Sequence, residues 1–213
     1  MSASQRGNWV AWRLASGSSV FCAGQLIWLE GPVDPVVFGS SVSAVFAETD
    51  ALRVRFGDED GVPFQYVDPA VALETEIVDA GLGDDEIRVL ARERLAAAPA
   101  AAAGEPASVS ILVRRVNGAW AWIFVTNILL VDGYGVSLFV RRVAEVYSAS
   151  RAGAVVPDRW FGSLQNVTGA VSPGGCGVEE SVAYWGGVLD VEYAGREDAE
   201  DLSGVFVSSS RPV

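Results

Sequence analysis

The chain of 213 residues contains no histidine and no lysine. Without histidine there is no Ser–His–Asp triad, no Cys–His nucleophile pair and no histidine-ligated metal site. All fifteen basic residues are arginine; with the abundant Ala, Val and Gly this reads as a GC-rich coding bias, which leaves the absence of histidine unexplained. Positive charge is short overall: 27 acidic side chains give a formal charge of −12. Such a surface repels phosphate backbones and anionic bilayers, so nucleic acid and membrane are not expected partners. Cysteine is scarce. Cys22 lies in an apolar stretch and reads as a small buried hydrophobe, and Cys176 lies in a Gly-rich turn; two distant cysteines make no disulfide framework. No apolar run reaches the length of a membrane span, and Met1 to Ala15 is polar and amphipathic rather than leader-like. Asn166-Val167-Thr168 fits a glycosylation acceptor, but without secretion it is a chance match. A cytoplasmic protein is expected.

What is present is a large apolar fraction, 50 % of residues, organised around Ser108 to Tyr147. The first run alternates, with Val109, Ile111 and Val113 on one face. Asn117-Gly118 follows as a two-residue hairpin signal, because both residue types accept positive φ. Trp120 to Leu130 is almost wholly apolar and predicts a strand covered on both faces, in the middle of a sheet. It ends at Asp132-Gly133, after which Val136, Phe139, Val140, Val143 and Tyr147 form a helical stripe.

Earlier in the chain, Ser2 and Gln5 are spaced as a capping box for a short helix containing Trp9, Trp12 and Arg13. Phe21 to Glu30 predicts a strand. Asp34 and Pro35 predict the start of a helix over Val36 to Glu48, with Val37, Val42, Val45 and Phe46 facing inward. Ala51 to Phe56 and Val62 to Val67 predict two strands joined at the acidic turn Asp58-Glu59-Asp60-Gly61. Glu74 to Asp79 predicts an edge strand. Asp84 to Ala98 predicts a helix with Ile87, Leu90, Ala91 and Leu95 inside, stopped by Pro99. Ala100 to Pro106 is a connector. Beyond Asp190 periodicity fades into a charged tail. Mixed strands, hairpins and helices predict an α+β fold with helices packed on a mixed sheet.

Asn127-Ile128-Leu129-Leu130-Val131-Asp132-Gly133, with the helix after it, resembles the His-His-x-x-x-Asp-Gly segment of nonribosomal peptide synthetase condensation domains, relatives of chloramphenicol acetyltransferase. The Ser-x-x-Gln opening, the Leu52-Arg53-x-x-Phe56 run, the Gly61-x-Pro63-x-Gln65 strand and the segment around Trp160-Phe161-Gly162-Ser163-Leu164 resemble the same family. The resemblance covers about residues 2 to 189 and corresponds to the N-terminal lobe of a two-lobed domain. It implies a chloramphenicol acetyltransferase-like sandwich, with 1–175 as the lobe and 176–213 as a crossover helix and tail leading to an absent second lobe.

In that family two carrier-bound thioesters meet between the lobes and an amide forms. No cofactor is bound; the 4′-phosphopantetheine arms of the carriers bring the substrates, and a carrier protein or a complementary second lobe is the implied partner. The motif positions here are Asn127, Ile128, Asp132 and Gly133. Ile128 stands where the second histidine would sit beside the acceptor amine. A positioned proton acceptor typically contributes about 10²–10⁴ in rate, and isoleucine offers none. Asn127 is no base, though its amide can hold a loop. A free aspartate, with a pKa of about 3.9, is a weak base at neutrality. The resemblance implies that Asp132 is structural and pairs with Arg53, with Arg55 the less favoured choice. Gly133 reads equally as an oxyanion N–H donor and as a glycine demanded by a tight turn. Thr49-Asp50 stands where the family has a His-Glu pair. Arg114-Arg115 and Arg141-Arg142 read as exposed charges flanking core positions. Asp58-Glu59-Asp60 and Asp84-Asp85-Glu86 read as solvated turn or helix-start acids, not a metal site. An acyltransferase working through Asp132 or Cys176 has no support in the spacing.

Overall fold

The computed structural model describes residues 3–14, 19–60, 62–97, 106–164 and 166. These all fall in the first of two units of the chain, Met1–Val171. Ser2 of the capping box, residues 98–105 of the connector, Cys176, the expected 178–189 helix and the tail lie outside them.

The sheet assembles from four strands in the order β1 (Cys22–Leu29), β6 (Trp120–Asn127), β5 (Ser108–Arg115) and β4 (Thr75–Leu82). β6 is antiparallel to both neighbours, and β4 is parallel to β5. That parallel pair is joined through helix α3 (Asp84–Ala96), because parallel strands need a crossover. Every residue of β6 is buried, as its unbroken apolar run predicts for a central strand. Of the expected edge strand Glu74 to Asp79, all but Glu74 lies in β4, which is terminal in the sheet.

Both faces of the sheet carry helices. Helices α2 (Pro35–Glu48) and α4 (Gly133–Arg151) supply Phe38, Val42, Val45, Phe46, Phe139 and Val143 to a core with Leu112, Trp122 and Phe124. On the other face α3 buries Ile87 against Ile111, Val113, Ile123 and Val125. The alternation in β5 therefore divides two cores rather than core from solvent. The serines on the α2/α4 side stay buried because their hydroxyls are used: Ser110 Oγ lies 2.9 Å from Thr75 Oγ1 and accepts from Trp122 Nε1 at 2.9 Å, and Ser108 meets Thr126 at 2.9 Å. The α+β fold expected from the sequence, helices on a mixed sheet, is the one formed.

Local signals mostly act as read. The Asp34 carboxylate accepts from the N–H groups of Val36 and Val37, both at 3.1 Å, with Pro35 at the first helical position. Helix α1 spans Ala3–Leu14 and buries Trp9. Two expectations are corrected. The Asn117-Gly118 loop is a three-residue connection: Arg115 and Ala119 close it, and only Gly118 takes positive φ, +82°. The Asn117 side chain accepts from Ala119 N–H instead of adopting a left-handed backbone. Ala51-Leu52-Arg53 is not strand. It continues from Asp50 as a 3₁₀ turn that drops Leu52 into the core, and β2 (Val54–Glu59) starts after it.

β2 pairs with β3 (Val62–Val67) as a separate two-stranded ribbon, turning through Asp60 at φ +51°. Gly57 faces Phe64 across this ribbon, and a Cβ on it would come within 2.3 Å of the phenyl ring. The ring thus lies over bare glycine backbone. We expect Gly57→Ala to cost about 1–2 kcal/mol by displacing Phe64, read as a lowered urea midpoint with an unchanged slope.

Candidate functional site

The strand end is built from backbone first. Ile128 N–H donates to the Phe21 carbonyl at 2.8 Å and Asn127 N–H to the Ala107 carbonyl at 3.1 Å, so the last rung of the sheet holds the loop's start. The chain then makes a turn through Ile128-Leu129-Leu130, which buries Leu129 and Leu130 and leaves Ile128 37 % exposed. The buried Asn127 uses its side-chain oxygen to accept from Leu129 N–H at 2.9 Å. It is a loop brace, as an amide can be, and its acceptor faces the chain itself.

Asp132 is the N-cap of α4. Its backbone is extended and its carboxylate accepts from Gly135 N–H at 2.7 Å. The side chain is exposed and meets no arginine among the described residues. The expected tie between Asp132 and Arg53 is not formed. Arg53 Nη2 instead binds Asp50 Oδ1 at 2.8 Å, because the 3₁₀ turn brings residues three apart onto one side. The other oxygen of Asp50 accepts from Leu164 N–H at 3.2 Å. Asp50, not Asp132, is therefore what holds Arg53.

Gly133 is also corrected in one respect. A Cβ on it would meet nothing within 4 Å, and its φ is not in the left-handed region. The turn does not demand glycine there. The close approach is at Gly135, where a Cβ would lie 3.2 Å from Val131 Cβ. So the motif segment leaves open space at Gly133, which precedes the 73 % exposed Tyr134, while Ile128 at the start of the loop is 37 % exposed.

The pair Arg141-Arg142 does not behave as two exposed charges. Arg142 is buried, 1 % exposed, and donates to Glu48 Oε1 at 2.6 Å, to Glu145, and to the Pro157 carbonyl at 2.9 Å. Hydrogen bonding to Glu48 holds its guanidinium above the usual arginine range against the opposing effect of burial. Position 142 lies three residues after Phe139 and four before Val146, on the flank of the apolar stripe, so α4 carries it under the end of α2. Arg115, likewise, is a two-pronged partner of Asp84, with both bonds at 3.0 Å. Arg142 and Asp50 together fasten the segment after α4: Pro157 and Leu164 are bonded to them, Trp160 lies against Arg141 and Arg142, and Phe161 packs on the core. Sequence reasoning missed this clamp; its one visible sign was charge placed immediately beside a helix stripe.

Cys22 opens β1 opposite Asn127, and burial pushes its thiol up from the usual range, which makes it a poor nucleophile. No group of three or more potential metal ligands, and no helix long and apolar enough to cross a membrane, occurs among the described residues.

A buried strand, a short turn and a capped helix on this mixed sheet have counterparts among known proteins. The profile described as Condensation domain matches residues 1–202. The chain belongs to the condensation-domain family. It is 34 % identical over 168 residues to an isonitrile lipopeptide synthase of Streptomyces coeruleorubidus, covering 78 % of this chain and 11 % of that protein. It is 30 % identical over 169 residues to enterobactin synthase component F of Escherichia coli O157:H7, covering 78 % of this chain and 13 % of the relative. Among solved structures, the starter condensation domain of rhizomide synthetase RzmA superposes with TM-score 0.77 at 26 % identity, over 88 % of this chain and 47 % of that one. The first condensation domain of the calcium-dependent antibiotic synthetase shares the fold, with TM-score 0.78 at 22 % identity over 90 % and 47 % of the two chains. The chain thus spans just under half of these solved domains and a small part of the synthetases.

Proposed function

We propose that this chain is the N-terminal lobe of a nonribosomal peptide synthetase condensation domain, acting in the cytoplasm, and that by itself it forms no amide bonds. Residues 1–175 make the lobe, and 176–213 lead toward a second lobe. In the complete arrangement a carrier-bound acyl or aminoacyl thioester presents its carbonyl on a phosphopantetheine arm. The amine of a second carrier-bound substrate attacks it, an amide bond forms and the carrier thiol leaves. The attacking amine must lose a proton, and a base beside it supplies that acceptor.

The observation that carries the reading is the chemistry at the strand end. Ile128 presents hydrocarbon where the motif calls for imidazole, and the acceptor of Asn127 is spent on Leu129 N–H. Asp132 likewise directs its carboxylate to its own helix. What remains there for a substrate is backbone: the open approach over Gly133 suits an N–H donor to a thioester oxygen more than it suits a proton acceptor.

The test uses the purified chain with a donor carrier loaded with an acyl thioester and an acceptor carrier loaded with an aminoacyl thioester. Mass spectrometry of the released or carrier-bound product is expected to show no amide above the enzyme-free background. Turnover above background by this chain alone would sink the proposal.

A second reading, a non-catalytic module that docks a carrier protein or a partner lobe, is favoured by the exposed apolar Ile128 and Tyr134 at the same loop. It predicts a stable complex with a separately produced C-terminal lobe, lost in Tyr134→Glu. A carrier is the weaker occupant, since the −12 charge opposes an acidic partner.

A further inference from the structure

We propose that Asn117 is a site of spontaneous deamidation and that the closed β5–β6 loop holds the reaction back. The chain has four asparagines, Asn8, Asn117, Asn127 and Asn166, which precede Trp9, Gly118, Ile128 and Val167. In this reaction the backbone nitrogen of the following residue attacks the side-chain amide carbon. A side chain on that following residue crowds the attack, and glycine has none. Asn117 is thus the asparagine whose neighbour leaves the path open. Asn117 and Gly118 are both exposed at the hairpin tip, and a Cβ on Gly118 would meet nothing within 4 Å, so solvent and space are at hand.

The step balances with water as the co-reactant. Hydroxide takes the proton of Gly118 N–H, and the nitrogen forms a bond to Asn117 Cγ. The Cγ–Nδ2 bond breaks, and the leaving nitrogen takes a proton from water, departs as ammonia and returns the hydroxide. The product is a succinimide ring. Water then opens the ring at either carbonyl. One opening gives aspartate; the other gives isoaspartate, in which the main chain runs through Cβ and Cγ. Either product adds one negative charge to the formal −12.

The hydrogen bonds of the loop act on the two reacting groups in opposite directions. Ala119 N–H donates to Asn117 Oδ1 at 3.0 Å, which polarises the amide carbonyl and favours the oxyanion formed on attack. Gly118 N–H donates to the Arg115 carbonyl at 2.9 Å, which withholds the proton that hydroxide must take. The second effect governs, because no ring closes while the nitrogen keeps its proton. The loop is tied at further points: Arg115 N–H donates to the Ala119 carbonyl at 2.8 Å and Val116 N–H to the Leu82 carbonyl at 3.1 Å. Asn117 therefore reacts from a locally opened loop. The aspartate product keeps an acceptor for Ala119 N–H. The isoaspartate product lengthens the main chain between the Arg115 carbonyl and Gly118 N–H, and so displaces the bond that closes the loop.

The test follows the full chain at one mildly alkaline pH and one temperature, folded in buffer and unfolded in urea, by peptide mapping with mass spectrometry. In urea Asn117 is expected to convert before the other three asparagines, and to give isoaspartate as well as aspartate. In the folded chain its conversion is expected to be slower by at least about tenfold, the factor to which about 1.4 kcal/mol, close to one hydrogen bond's net contribution, converts. Gly118→Ala, measured in urea where there is no loop to strain, is expected to slow the conversion several-fold, which direct hydrolysis of the amide by water would not show. Equal rates in the folded and unfolded chain overturn the proposal. So does an Asn117 that converts no faster in urea than Asn8, Asn127 and Asn166, or a product that is aspartate alone.

Discussion

Arg142→Ala is expected to lower the unfolding free energy by about 3–5 kcal/mol, among the largest losses available to a single substitution in this chain. The guanidinium is 1 % exposed and holds Glu48, Glu145 and the Pro157 carbonyl. Removing it leaves Glu48, whose side chain is 10 % exposed, as a nearly buried carboxylate without its partner. The stranded charge, more than the lost attraction, accounts for the cost. The double variant Arg142→Met, Glu48→Met should therefore recover a good part of the loss, since buried pairs replaced by apolar side chains of similar volume are often neutral. Chemical denaturation of the wild type, both singles and the double closes the cycle. A single-variant loss under about 1 kcal/mol, the range of exposed pairs, would show that Arg142 is solvated. The same variant should expose the segment from Pro157 to Leu164 to proteolysis before global unfolding, because one of its backbone anchors is gone.

Trp122→Ala is expected to cost about 3–5 kcal/mol, by loss of buried surface and by the cavity left behind. The indole is 1 % exposed in the middle of the central strand, with ring centres of Phe38, Phe124 and Phe139 at 5.2, 5.7 and 6.4 Å. These surround it on the α2/α4 side of the sheet, where little backbone can move to refill the space. Trp122→Phe separates packing from hydrogen bonding. It keeps a ring but removes the Nε1–H donor to Ser110, whose hydroxyl still meets Thr75, so the expected loss is about 1–2 kcal/mol. Urea unfolding followed by circular dichroism checks both. Equal losses for the two variants would mean that the hydrogen bond, not the ring packing, dominates the site.

Much of the scaffold is legible from residue order, and the reason is that those signals are local. Asp34-Pro35 can cap and start a helix without knowing its surroundings. An apolar run such as Trp120 to Asn127 has few ways to be buried other than in mid-sheet. The frame of the motif segment was legible for the same reason: a buried strand, a short turn and a capped helix are all written within 120–136. What failed was partner choice. Arg53 was expected to meet Asp132, and the 3₁₀ turn gives it to Asp50 three residues away. Arg142 looked like surface charge because periodicity places it beside the stripe. Its burial depends on where α2 ends, and that is settled 94 residues earlier in the chain.

By itself the order of residues determined the helix caps, the central strand, the two-sided apolar faces and the absence of imidazole at the motif, since each is a property of one short segment or of composition. Tertiary structure alone decided which acid meets which arginine, that Gly133 is open while Gly135 is close-packed, and that β1 is terminal in the sheet of the described residues. Those facts depend on distances between segments far apart in the chain, and no local preference encodes them.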